Sequence, residues 1–98
     1  MERYSSRTLD EQGQVVLHDT LRKKLRLDKG VKLAINHVDT LLILQRVADS
    51  QAIENAVCEV DDLGRIILPE EIRRQLNWSA KDELALYHTD KLIILKSA

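Results

Sequence analysis

An internal repeat limits the folds that this chain can adopt. Residues 7–47 align with residues 58–98 at a constant offset of 51 positions and without a gap. Twelve of the 41 aligned pairs are identical: Asp10/Asp61, Gly13/Gly64, Leu17/Leu68, Arg22/Arg73, Leu25/Leu76, Leu33/Leu84, Ala34/Ala85, His37/His88, Asp39/Asp90, Leu41/Leu92, Ile43/Ile94 and Leu44/Leu95. We therefore interpret the chain as repeat 1 (7–47), a linker (48–57) and repeat 2 (58–98).

The length of each repeat limits how the two can fold. A unit of about 40 residues cannot bury enough apolar surface to be stable alone, so the repeats are expected to share one core. Hydrophobic residues make up 44% of the chain and aromatic residues only 3%. The core is therefore predicted to consist of Leu, Ile and Val. Few aromatic side chains remain for stacking on bases, which argues against a stacking binder of single-stranded nucleic acid.

Repeat 2 has clear signals for its secondary structure. A turn is predicted at residues 62–64, where Gly64 can supply a positive φ, and a strand at residues 65–68. Pro69 suits the first position of a short helix that ends near Asn77. Two strands follow, joined by a turn at residues 89–90. The fold class predicted is mainly β with short helices.

Repeat 1 follows the same order of elements. Gly13 marks its first turn, and residues 39–40 mark the turn of its second hairpin. His18 stands where repeat 2 has Pro69, so Asp19 is a candidate cap for the first helix. If two such units pair face to face, the expected product is a β-barrel with pseudo-twofold symmetry.

The charge is unevenly distributed although the net charge is only −1. Residues 1–49 hold nine Lys and Arg against seven acids, whereas residues 50–98 hold six against nine. A basic run lies in repeat 1: Arg22, Lys23, Lys24, Arg26, Lys29 and Lys32. Local clusters matter more than the total, because salt screens attraction to phosphate within roughly 10 Å. On composition alone, a solvated helix face explains these cations, with Arg73 pairing to acids such as Glu70.

The stretch VDDLGRIILPEEIRRQLNWSAKDELALYHTDKLIILK in repeat 2 closely resembles the SpoVT/AbrB-type swapped-hairpin domain. The family pattern is VD-x-x-GR, a hydrophobic run, Pro, a hydrophobic residue and RR-x-L, then a charged loop and a hairpin that ends in a β-rich I-I-L stretch. Residues 58–98 match it across essentially the whole domain, and residues 7–47 match more loosely. The tandem layout is similar to that of MraZ-type members. The resemblance implies that the two repeats form an intramolecular, pseudo-twofold, swapped-hairpin β-barrel.

The resemblance also implies binding of double-stranded DNA, usually at promoters, through basic residues of the first hairpin and the short helix. Transferred to this chain, the DNA-binding residues are Arg7, Arg22, Lys23, Lys24, Arg65, Arg73 and Arg74. Two positions depart from the pattern between repeats. Gln14 stands opposite Arg65 in the alignment, and Cys58 stands opposite Arg7. The DNA-binding face is therefore expected to be asymmetric, or weak until several chains assemble.

Other recurring residues are interpreted as structural. Gly13 and Gly64 serve turns, since neither belongs to a Gly-rich phosphate loop. Asp10 and Asp61 are expected to bond turn amides or hold an arginine. The repeated histidines flank a hairpin turn, and Cys58 is an ordinary residue at a strand edge. Metal-ligand spacing and a set of nucleophile, base and orienting group are both absent from the sequence, so neither a cofactor nor an enzyme is predicted.

The leading functional hypothesis is a cytoplasmic transcriptional regulator that binds duplex DNA, with two chains forming a dimer. The alternatives are a MazE-type antitoxin with a toxin partner and a protein-interaction module that has lost DNA binding. The lone cysteine cannot form an internal disulfide, the N-terminus lacks the pattern of a signal peptide, and an 18-residue apolar run is absent. A membrane partner is therefore not expected.

Overall fold

The computed structural model describes residues 2–47 and 56–98. The described residues form eight strands and two short helices. In chain order these are β1 (Glu2–Thr8), β2 (Gln14–Val16), α1 (Asp19–Leu25), β3 (Lys32–Val38), β4 (Leu41–Arg46), β5 (Val57–Glu59), β6 (Arg65–Ile67), α2 (Glu70–Gln75), β7 (Glu83–His88) and β8 (Leu92–Ser97). The predicted fold class, mainly β with short helices, is confirmed. Neither helix is both long and apolar enough to cross a membrane.

The strands of the two halves are exchanged. Six strands form one antiparallel sheet in the order β1-β7-β8-β4-β3-β5, and β2 pairs with β6 in a separate two-stranded ribbon. Each half contributes a first strand that pairs only with the other half: β1 pairs with β7, and β5 pairs with β3. Bonds such as Leu9 N–H to the Asp82 carbonyl (3.0 Å) and Val60 N–H to the Val31 carbonyl (3.0 Å) extend this exchange into the loops. This is a swapped-hairpin fold.

The strand registers show that the same twofold symmetry relates the two halves in both sheets. In the β2–β6 ribbon, Val15 pairs with Ile66, its equivalent at the 51-residue offset. In the large sheet, β4 pairs with β8 so that Ile43 lies opposite its own equivalent, Ile94. The flanking pairs mirror one another about these central pairs in both ladders. The two halves are therefore related by a pseudo-twofold axis through both central pairs.

The core lies between the curled six-stranded sheet and the ribbon. Val15 and Ile66 are fully buried and belong to the same apolar cluster as the inward side chains of the sheet, such as Leu86 and Leu44. Because β1 leads into β2 and β5 leads into β6, the ribbon spans from one edge of the sheet to the other. Most core residues are Leu, Ile and Val, as the composition predicted, with the addition of Cys58 and Trp78.

Both short helices begin one residue away from the expected position, α2 one residue later and α1 one residue earlier. Pro69 occupies the N-cap of α2 rather than its first turn. The suggestion that Asp19 caps α1 is wrong, because His18 occupies the N-cap and Asp19 lies within the first turn. A carboxylate there still complements the positive end of the helix dipole. The chain leaves α2 at the predicted place, where Asn77 adopts a φ of 57°.

The repeat boundaries at 7–47 and 58–98 stay a prediction, although the registers agree with the offset that defined them. Most of the predicted linker, residues 48–55, lies outside the described residues. Its last residue, Val57, is the first residue of β5.

Because the first strand of each half pairs with the other half, we expect the described core to unfold in one cooperative step. Leu86 is fully buried in β7, where it lies between β1 and β8. Leu86→Ala should lower the free energy of unfolding by about 2–5 kcal/mol and shift the whole urea transition, because it leaves a cavity shared by both halves. Val38→Ala, at a half-exposed valine, should change it by less than about 0.5 kcal/mol. Two separate transitions would contradict the shared core.

Candidate nucleic-acid interface

The outward face of the β2–β6 ribbon brings four side chains together around the pseudo-twofold axis. Since Val15 and Ile66 point into the core, their neighbours along each strand point outward. Gln14 lies opposite Ile67, and Val16 lies opposite Arg65. Val16 is 45% exposed and Ile67 is 53% exposed. At each end of the ribbon, an exposed apolar side chain therefore lies opposite a polar one.

Equivalent turns, each held by an aspartate, position the two strands of this face. Asp10 Oδ1 accepts hydrogen bonds from the backbone N–H groups of Gln12 and Gln14, the latter at 2.7 Å. Asp61 Oδ1 accepts the equivalent bonds from Leu63 and Arg65, the latter at 2.8 Å. The predicted structural role of the two repeated aspartates is therefore confirmed. Each aspartate fixes the backbone of the first ribbon residue that follows its turn.

Arg65 is oriented by the aspartate of its own turn. Its Nε donates to Asp61 Oδ2 at 2.7 Å, while about one third of the Arg65 side chain stays exposed. The backbone hydrogen bond from Arg65 is the largest cause that lowers the pKa of Asp61, and the guanidinium adds to it. Asp61 is therefore ionised at neutral pH. The Arg65 Nε is engaged, and among the described residues its terminal nitrogens form no hydrogen bond, which leaves them for another ligand.

The paired arginines Arg22 and Arg73 lie on the turn glycines of the opposite half. A Cβ added to Gly13 would meet the Arg73 Nε at 2.5 Å, and one added to Gly64 would meet the Arg22 Nε at 2.5 Å. The guanidinium groups therefore occupy the space above each glycine where a side chain would project.

The same arginines close a hydrogen-bonded connection between the halves. The Arg73 Nε donates to the Leu68 carbonyl at 3.0 Å, and the Leu68 N–H donates to the Gly13 carbonyl at 2.8 Å. The other half repeats this arrangement. The Arg22 Nε donates to the Leu17 carbonyl at 3.2 Å, and the Leu17 N–H donates to the Gly64 carbonyl at 2.9 Å. Arg22 also pairs with Asp19. These two arginines thus have a structural role that the sequence did not indicate, while their contact with DNA stays a prediction.

The remaining cations of the helices are more exposed. Arg74 is 77% exposed and pairs with Glu70 at 2.7 Å, a hydrogen bond that lowers the pKa of Glu70. Such an exposed ion pair contributes little to stability and leaves the arginine available. Lys23 and Lys24 of α1 are also exposed. The suggested pairing of Arg73 with Glu70 is not among the ion pairs of the described residues, because Arg74 takes that partner.

Arg7 and Cys58 differ in surroundings as well as in chemistry. Arg7 is half-buried at the end of β1, with its Nε bonded to the Ser6 carbonyl and its Nη1 3.5 Å from the Val16 carbonyl. Cys58 is buried in β5, at the edge of the large sheet, and burial raises the pKa of its thiol to about 12. Only repeat 1 therefore places a cation beside the ribbon at this position.

Two members of the surface were missed from the sequence. Val16 and Ile67 lie in three-residue strands, and their outward position follows from alternation once Val15 and Ile66 are known to be buried. The signal available in the sequence was the pair of adjacent apolar residues at equivalent positions of the two repeats, residues 15–16 and 66–67. The structure gathers Arg7, Arg65 and the two apolar residues on or beside the ribbon. Lys23, Lys24 and Arg74 lie on the helices that follow β2 and β6.

Comparison with known proteins gives two matches. Residues 59–98 match the family model described as antidote-toxin recognition MazE, bacterial antitoxin. Over 40 residues the chain is 50% identical to the transition state regulatory protein AbrB of Bacillus subtilis (strain 168). This match covers 41% of the chain and 42% of that protein, so the chain spans less than half the length of the curated relative.

We expect Gly13→Ala to destabilise the protein more than Gly30→Ala. Both glycines have positive φ, at 80° and 89°, so each substitution carries a backbone penalty of about 1–2 kcal/mol. A Cβ at Gly30 would come no closer than 3.8 Å to Glu59, whereas one at Gly13 would displace Arg73. Urea unfolding of the two variants measures the difference. Equal losses would contradict the proposed packing of arginine on glycine.

Proposed function

We propose that this chain, whose residues 58–98 resemble the SpoVT/AbrB-type domain, is a DNA-binding transcriptional regulator that binds double-stranded promoter DNA. The relative named as a transition state regulatory protein supports this reading. The observation that carries it is the outward face of the β2–β6 ribbon, where Arg65 lies with a pair of exposed apolar side chains and with Arg7 beside the ribbon.

The shape and chemistry of this face suit duplex DNA. The major groove admits a two-stranded β-ribbon, and a guanidinium can bond guanine O6 and N7 on its floor. Val16 and Ile67 can contact the methyl groups of thymine. The exposed cations of the helices, Lys23, Lys24 and Arg74, would neutralise phosphates on either side of the groove.

One chain supplies both strands of the ribbon, so the binding surface is complete without a second copy. We propose that two chains assemble as a dimer, so that two ribbons bind neighbouring segments of the same duplex. A promoter-binding role places the protein in the cytoplasm. Light scattering of the protein with and without a short duplex gives the number of chains in each state.

We expect loss of the helix cations to weaken DNA binding in a salt-dependent way. The triple variant Lys23→Ala/Lys24→Ala/Arg74→Ala should bind duplex DNA less tightly. Each lost phosphate contact should reduce the slope of log K against log salt by about 0.9. Fluorescence anisotropy with a labelled duplex at several salt concentrations measures both quantities.

A matched control removes the same charge elsewhere. Arg46→Ala/Lys91→Ala/Lys96→Ala changes three exposed cations of the second hairpins, away from the ribbon. Its affinity should fall less, and its salt slope should stay close to that of the unmodified protein. Equal effects of the two triple variants would contradict a localised interface, and failure of the unmodified protein to bind any duplex at low salt would overturn the proposed function.

A second candidate is a MazE-type antitoxin, or a protein-interaction module of a toxin–antitoxin system. The family model matched by residues 59–98 favours it, since that model is described as an antitoxin. We expect this role to require a toxin that co-purifies with the chain at fixed stoichiometry. If the gene next to this one encodes a small ribonuclease, co-expression followed by size exclusion tests the pairing, and two separate peaks would contradict it.

A further inference from the structure

We propose that the ribbon recognises a non-palindromic DNA site, with guanine read by Arg65 at one end and adenine read by Gln14 at the other. This inference rests on the proposed function. It follows from a pseudo-twofold surface whose equivalent positions carry different chemistry. A homodimer must present the same side chain at both positions, whereas the fused halves of this chain do not.

The cations of the ribbon are concentrated at one end. Arg65 pairs in the ladder with Val16, and the Arg7 Nη1 lies 3.5 Å from the Val16 carbonyl. Arg7 and Arg65, which come from different halves, therefore both lie at this end. The pseudo-twofold axis relates Arg65 to Gln14 and Arg7 to Cys58. The opposite end thus has a neutral amide and a buried thiol in place of both cations.

Gln14 is placed to read a base in its own right. Its backbone N–H is held by Asp10, and its side chain lies on the outward face at the end shared with Ile67. The Gln14 side chain forms no hydrogen bond within residues 2–47 and 56–98, so its amide is unengaged there. A glutamine amide pairs with adenine N6 and N7, as a guanidinium pairs with guanine O6 and N7.

The two ends differ in side chain but share one backbone. Asp10 and Asp61 hold the N–H groups of Gln14 and Arg65 at 2.7 Å and 2.8 Å. Gln14 and Arg65 are diagonal neighbours about the central pair, so their Cα atoms are roughly 8 Å apart. At 3.4 Å per base-pair step, the two bases would lie about two to three base pairs apart. The asymmetry should therefore appear at the centre of the site.

The experiment is selection of bound sequences from a random duplex library by the full chain and three variants. For the unmodified protein, the segment of the consensus bound by each ribbon should be non-palindromic, also when a dimer places two such segments symmetrically on one duplex. Gln14→Arg should shift the adenine half towards guanine and make the consensus more symmetric, with about a tenfold gain for the symmetric duplex over the original one. Arg65→Gln should favour adenine on both sides.

Each ribbon variant introduces the residue that already stands at the equivalent position of the other half. In Gln14→Arg, Asp10 can accept a hydrogen bond from the new arginine as Asp61 does from Arg65. Urea unfolding confirms that each variant is folded before selection. Gln45→Arg is the matched control, because it adds the same charge at an exposed position of β4 outside the ribbon. This variant should keep the consensus of the unmodified protein.

The outcomes separate this inference from the proposed function. A palindromic segment under each ribbon of the unmodified protein, or an unchanged consensus for Gln14→Arg, would overturn the asymmetric recognition while leaving DNA binding intact. Failure of every variant and of the unmodified protein to retain duplex at low salt would overturn both. A non-palindromic segment under each ribbon that changes as described for both ribbon variants supports the inference.

Discussion

The structure depends on strand exchange between two halves that are each too small to fold alone. A unit of about 40 residues exposes most of its apolar side chains, and here each half covers the other. β1 completes the sheet beside β7, and β5 completes it beside β3. The ribbon closes the same core because Val15 and Ile66 meet on the pseudo-twofold axis. Without this exchange, neither half has a closed core or a complete ribbon.

The repeated arginines link the core to the surface. Arg22 and Arg73 each cover the turn glycine of the opposite half and bond a carbonyl of their own half. Such contacts hold the two turns against the starts of the two helices, where the proposed interface lies. A substitution of either arginine would therefore perturb the interface through the fold as well as through lost charge. For this reason the exposed cations Lys23, Lys24 and Arg74 give the cleaner test of DNA binding.

Local signals in the sequence predicted much of the fold. Gly13 and Gly64 marked turns because both require positive φ, and the structure gives 80° and 74°. The swapped pairing came from the family resemblance rather than from the residues, since β5 has only three residues and carries little pattern of its own. Helix starts were displaced by one residue at His18 and Pro69, because cap geometry depends on backbone angles that the sequence does not fix.

The candidate site was predicted less completely than the fold. Charge and motif identified the cations, but two arginines proved to be engaged with glycines far away in sequence, a contact that only the tertiary structure reveals. The exposed residues Val16 and Ile67 were missed because a three-residue strand does not indicate which face is buried. The clustering of Arg7 with Arg65 at one end also required the strand register.

In the proposed complex, the exchanged halves present the β2–β6 ribbon to duplex DNA. Backbone amide chemical shifts, followed by NMR while a short duplex is added at low salt, test it most directly. If the ribbon binds duplex DNA, the largest changes occur at residues 14–16 and 65–67 and in the helices that follow. Changes confined to the outer face of the six-stranded sheet would contradict it.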